Sequence, residues 1–111
     1  MDSTQLLKGT LDTAVLAVLE NEDGYGYDIV RRLRDAGFNE IGEASVYGTL
    51  RRMFVSGALS TYVVASVDGP HRKYYSLKPE GRAMLSAQRK TWQKFASAMN
   101  QLLGTTKKAS N

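Results

Sequence analysis

Glu43-Ala44-Ser45-Val46-Tyr47-Gly48-Thr49-Leu50-Arg51-Arg52-Met53-Phe54-Val55-Ser56-Gly57 is followed almost at once by two runs of another kind, Leu59–Val64 and Arg72–Leu77. In the first stretch Val46, Leu50, Met53 and Phe54 recur at i, i+4, i+7 and i+8, which predicts an amphipathic helix over Glu43–Ser56. Gly57 is placed to stop it. The two runs that follow are rich in Tyr, Val, Ser and Thr and read as strands. Between them, Ala65–His71 contains Asp68-Gly69-Pro70, a strong turn signal. A helix feeding directly into a hairpin with a long tip is the pattern that decides the fold.

Working outward, two helices precede this unit and one follows it. The first is expected over Thr10–Glu20, where Leu11, Ala14, Val15, Leu16, Ala17, Val18 and Leu19 leave almost no polar face beyond Asp12 and Thr13. A helix apolar on nearly all sides is buried on more than one side, and in a small domain a second subunit is a candidate for the other surface. Asn21–Gly24 breaks it. A second helix over Tyr27–Ala36 offers Tyr27, Ile29, Val30 and Leu33 as its apolar face, with Gly37 to end it. Pro79 opens a final helix that reaches Leu103, roughly 35 Å long. Three helices, a hairpin and one long helix make the chain mainly α with a two-stranded β-wing, a winged helix-turn-helix. The expected organisation is a DNA-binding domain over 1–78, a dimerisation helix over 79–104 and a flexible tail over 105–111.

With 111 residues, 42% of them hydrophobic, the chain has material for one domain and a limited core. It contains no cysteine, which excludes disulfides, thiolate metal sites and thiol catalysis. Its longest apolar stretch, Ala14–Leu19, is far too short to span a bilayer, and the expectation is a soluble, cytoplasmic protein. The net charge of +4 is unevenly spread: residues 1–44 carry four basic against nine acidic side chains, 45–75 four against one, and 76–111 seven against one. A polyanionic partner would meet the second and third of these segments.

On a helical wheel, the face opposite Val46, Leu50 and Met53 displays Gly48, Arg51 and Arg52, flanked by Ser45 and Tyr47. Two guanidiniums can engage phosphates or read guanine edges bidentately, and a hydroxyl near the helix start suits the part that enters a major groove. Gly48 would let a DNA strand approach the backbone. An ordinary solvated helix face with an incidental glycine would show the same residues. His71-Arg72-Lys73 on the hairpin can follow phosphates or enter a minor groove; charges that protect an edge strand would look alike. Alternation puts one of Tyr74 and Tyr75 inward.

The ordered set of segments resembles the PadR family of transcription regulators. The matching residues are Leu7-Lys8-Gly9-Thr10-Leu11, Gly24-Tyr25-Gly26-Tyr27-Asp28-Ile29, Ser45-Val46-Tyr47-Gly48-Thr49-Leu50-Arg51-Arg52-Met53, Arg72-Lys73-Tyr74-Tyr75-Ser76-Leu77 and Gly81-Arg82. The resemblance implies a repressor that binds a pseudo-palindromic operator in double-stranded DNA as a homodimer. By position it implies DNA contacts from Lys8, Tyr27, Ser45, Tyr47, Gly48, Arg51, Arg52, His71, Arg72 and Lys73. Two departures stand out: Gly42 where the family often has a serine cap, and Lys78 where a threonine usually precedes the last helix.

Leu85, Gln88, Trp92, Phe95, Met99 and Leu102 recur at spacings of three and four, a heptad-like seam with Gln88 as its one polar member. The resemblance pairs this helix with the partner's first helix, so the expected dimer interface is Leu11, Val15, Leu85, Trp92, Phe95, Met99 and Leu102. The acidic first third and basic last helix are suited to attract one another there. In some relatives a tryptophan at the place of Trp92 stacks on flat aromatic ligands. Trp92, Phe95 and Met99 are therefore the candidate site for a small aromatic effector, although dry interface packing would use the same side chains. No cofactor is expected, nor any metal or catalytic set. The competing reading is a winged-helix module for protein interaction without specific DNA binding.

Overall fold

A computed structural model describes residues 6–7 and 9–104. Lys8 and the expected flexible tail, 105–111, lie outside the described residues. The elements follow as α1 (Leu11–Asn21), β1 (Gly24–Tyr25), α2 (Gly26–Asp35), α3 (Glu43–Val55), β2 (Leu59–Val64), β3 (Arg72–Leu77) and α4 (Pro79–Leu103). The four helices and the hairpin stand where the periodicity puts them, with helix ends displaced by a residue or so. That is the ordinary latitude of helix termini.

Helices α2 and α3 end by the same device. Gly57 adopts φ +91°, its N–H donates to the Phe54 carbonyl at 3.2 Å, and the Ala58 N–H donates to that of Met53 at 2.9 Å. Gly37, at φ +124°, ends α2 with the matching pair of bonds from Gly37 and Phe38 to Arg34 and Leu33. Both are left-handed turns that only glycine enters without strain, and they satisfy carbonyls the helix would leave orphaned. At the N-terminal ends of α3 and α4, Gly42 and Lys78 supply no side-chain cap.

The sheet has one strand more than the hairpin: the order is β1-β3-β2, all antiparallel, with Gly24 opposite Tyr75 and Tyr25 opposite Tyr74. Two residues carry no readable period, so this strand is invisible to hydrophobic patterning. It pins the start of α2 to the root of the hairpin, whose own register runs from Leu59 opposite Leu77 to Val64 opposite Arg72.

The core gathers Val15, Leu16 and Leu19 of α1, Ile29, Val30 and Leu33 of α2, Val46, Leu50 and Met53 of α3, then Leu59, Leu77 and Leu85. Two expected core members are replaced. Phe54 and Tyr27 are about half exposed, and Thr49 is buried on the inner face of α3 instead. Thr49 lies about one turn from both Val46 and Met53 and flanks the buried face on the side opposite Phe54. A further tie comes from Arg32, which donates to the carbonyls of Val18, Glu22 and Asp23 and pairs with Asp28 at 2.8 Å. Basic residues are absent from the last turn of α1, so Arg32 supplies from α2 the positive charge that end favours.

Only the first part of α4 is covered. Gly81 and Leu85 are buried, Met84 packs on the core, and from Arg89 to Gly104 every residue except Ala96 is exposed. Of the expected interface residues, Val15 and Leu85 are enclosed by the chain's own helices. Gln88 accepts a 2.6 Å hydrogen bond from the Thr13 hydroxyl of α1, which gives the one polar position of the seam its partner. The Arg89–Glu20 ion pair, at 2.8 Å, places attraction between acidic α1 and basic α4 within the single chain. Among the described residues no helix is long and apolar enough to cross a membrane.

Candidate nucleic-acid interface

The outer face of α3 carries Ser45, Tyr47, Gly48 and Arg51, all exposed. Arg51 makes no hydrogen bond or ion pair among the described residues, so its whole fork of donors is open. The Tyr47 ring lies against Gly26, at the first position of α2, so closely that a Cβ there would come 2.5 Å from Cε1. Partial burial and then the neighbouring Glu43 carboxylate raise its pKa, with smaller contributions from Tyr27 and Tyr75. At neutral pH Tyr47 is therefore an uncharged hydroxyl, able to donate to a phosphate. Tyr27, from the second position of α2, joins the same surface with half its area exposed.

The wing divides its basic residues between two faces. Adjacent residues of a strand point to opposite sides, and the register puts Leu77, Tyr75 and Lys73 on one face and Ser76, Tyr74 and Arg72 on the other. Tyr75 packs against the core, and Lys73 Nζ lies 5.6 Å from the centre of its ring. Lys73 thus shares a wing face with Tyr75, one of the groups that raise the pKa of Tyr47. Arg72 turns the other way and sits over the Tyr25 ring, 4.5 Å from its centre. There it borders a row of tyrosines, with Tyr25 edge-on to Tyr74 and Tyr74 stacked on Tyr62, whose hydroxyl donates to Asp23 at 2.7 Å. His71 is exposed at the end of the wing loop. The trio His71-Arg72-Lys73, continuous in sequence, does not form one continuous patch.

Arg52 is also differently placed from its neighbour. Its two terminal nitrogens donate to the two oxygens of Asp12 on α1, at 2.9 and 3.0 Å, and this bond is the main cause of its raised pKa. Asp12 had no role in the sequence pattern, yet it and Thr13 are the only polar residues within α1's apolar run. Each makes a cross-element bond, to Arg52 and to Gln88. An isolated polar residue on an otherwise apolar helix was the available signal.

The family model of the PadR-like transcriptional regulators matches residues 15–87, from α1 into α4. The chain belongs to this family. The PadR-like fold is reproduced by a PadR-like transcriptional regulator of Bacillus cereus, with a TM-score of 0.81 at 33% identity, over 89% of this chain and 96% of that one. An uncharacterised protein of Lysinibacillus sphaericus is 31% identical over 94 residues, covering 83% of this chain and 86% of its own. The Bacillus subtilis PadR, solved in complex with operator DNA, shares the winged-helix fold with a TM-score of 0.64 at 21% identity, over 70% of this chain and 45% of that one. PadR-like proteins are transcription regulators rather than enzymes, which is the class the basic α3 face and wing pointed to. The family match ends just before the exposed half of α4.

Proposed function

We propose that this PadR-like regulator is a repressor that binds a pseudo-palindromic operator as a homodimer, in the cytoplasm. The observation that carries the reading is the outer face of α3, where Arg51, unpaired among the described residues, stands beside Ser45, Tyr47 and Gly48. Helix α3 enters the major groove, Arg51 reads a base edge or holds a phosphate, and Lys73 with His71 follows the backbone beside it. A protein-interaction surface is a poorer fit, because charge is depleted at the centre of such interfaces. The operator complex of the Bacillus subtilis PadR, which has the same fold, supports this use of it.

Dimerisation uses the uncovered stripe of α4. Trp92, Phe95, Met99 and Leu102 are all exposed in the single subunit, and Leu11 of α1 is only partly covered. Trp92 and Phe95 lie with ring centres 5.9 Å apart. A small aromatic effector that stacks on them, near Met99, would act from the subunit interface.

Binding of the protein to duplex DNA from the region upstream of its own gene, compared with a scrambled duplex, tests this reading. Arg51→Ala is expected to weaken specific binding roughly ten- to hundredfold, the loss of one good bidentate contact. In the same assay, flat aromatic compounds are expected to quench Trp92 fluorescence saturably and to release the DNA. Absence of binding to any duplex at low salt would contradict the DNA reading and favour the protein-interaction module. Fluorescence unmoved by a panel of such compounds would contradict the effector.

A further inference from the structure

Arg51 and Arg52 are neighbours on α3, but one helix step turns them by about 100°, and they end in different surroundings. Arg51 faces outward and has no partner among the described residues. Arg52 reaches back to α1, where Nη1 meets Asp12 Oδ2 at 2.9 Å and Nη2 meets Oδ1 at 3.0 Å. This is the two-pronged arrangement in which a guanidinium grips a carboxylate. The edge that does so, with both terminal nitrogens side by side, is also the edge that would grip a guanine or a phosphate. While Asp12 holds it, Arg52 has only its side-on N–H groups left to offer, and its charge is neutralised locally. Neither side chain is buried, at 60% and 36% exposed, so the pair faces solvent where a DNA backbone would compete for the arginine.

We propose that Asp12 is a positioning residue of the DNA interface: it holds Arg52 against α1 and keeps it out of base and phosphate contact. Direct readout by α3 then rests on Arg51, and the second arginine steadies α3 on α1 instead of adding sequence-independent affinity. The inference rests on the DNA-binding reading above. It assigns to α1, otherwise a core helix, control over how strongly the protein holds non-operator DNA.

The test is a cycle on the full-length protein: wild type, Asp12→Asn, Arg52→Gln and the double variant, each titrated with the upstream and scrambled duplexes over a range of salt. Each phosphate neutralised steepens the dependence of log affinity on log salt by about 0.9. With Arg52 present, Asp12→Asn is expected to steepen that slope by about one and to tighten binding to the scrambled duplex, narrowing the ratio between the two. With Gln at position 52 the same substitution is expected to leave the slope where it was. Equal steepening in both backgrounds would show Asp12 to be a plain repulsive charge. No steepening in either would show that Asp12 does not hold Arg52 off the DNA, and both results overturn the proposal. Asp12→Ser serves if the asparagine variant does not fold, with circular dichroism to check each protein. Arg51→Ala separates the two levels of failure: if wild type binds no duplex, the DNA reading falls and this inference with it. If wild type binds and Arg51→Ala weakens it while the cycle is flat, this inference alone falls.

Discussion

Two glycines inside helices make opposite demands. A Cβ at Gly81 would lie 2.4 Å from the carbonyl oxygen of Ala58, which already accepts a 3.0 Å bond from the Lys78 N–H. The first turn of α4 thus rests directly on the turn that follows α3, and no side chain fits between. Gly81→Ala is expected to lower stability by about 1–3 kcal/mol, the usual cost of overpacking. At Gly48 an added Cβ would meet nothing within 4 Å. Gly48→Ala is expected to raise stability by about 0.5–1 kcal/mol through helix propensity, while weakening DNA binding where the strand approaches the backbone. Urea unfolding of both variants, with DNA titration of the second, measures these effects. A Gly48→Ala protein that is stabilised and binds unchanged would remove the close approach at that position.

The wing shows most plainly how a strand sorts chemistry by parity. Lys73 shares a face with Tyr75, whereas Arg72 lies on the opposite face over Tyr25. Lys73→Ala is therefore expected to weaken binding to all sequences alike and to lower the salt slope by about one. Arg72→Ala is expected to do less to both. Equal losses from the two would mean that the wing rearranges on DNA. The sequence groups Arg72 and Lys73 with His71 as one basic trio, although the alternation legible in Tyr74 and Tyr75 separates them too. The helices and the hairpin were legible for the same kind of reason, a period repeated over enough residues. Strand β1 was not, since two residues have no period and its pairing with β3 is made by the tertiary fold. Nor was the capture of Arg52 by Asp12: the two are 40 residues apart, and a helical wheel shows which way an arginine points but not what awaits it.

Taken whole, the molecule is a closed three-helix core with a long arm. Val15, Leu16, Leu19 and Leu85 close the core where α1 meets α4, and beyond Gln88 the arm carries Trp92, Phe95, Met99 and Leu102 uncovered. Scattered exposed apolar residues are ordinary on a protein surface, but a stripe at helical spacing marks an interaction site. A second copy would bury that stripe and set two α3 helices on a common axis. For operator binding they must lie about one turn of B-DNA apart, roughly 34 Å. Sedimentation of the protein with a duplex from the region upstream of its gene tests this account most directly. Two subunits per duplex, and two on a free protein particle, is the predicted result; one subunit per duplex, or protein that sediments apart from the DNA, would contradict it.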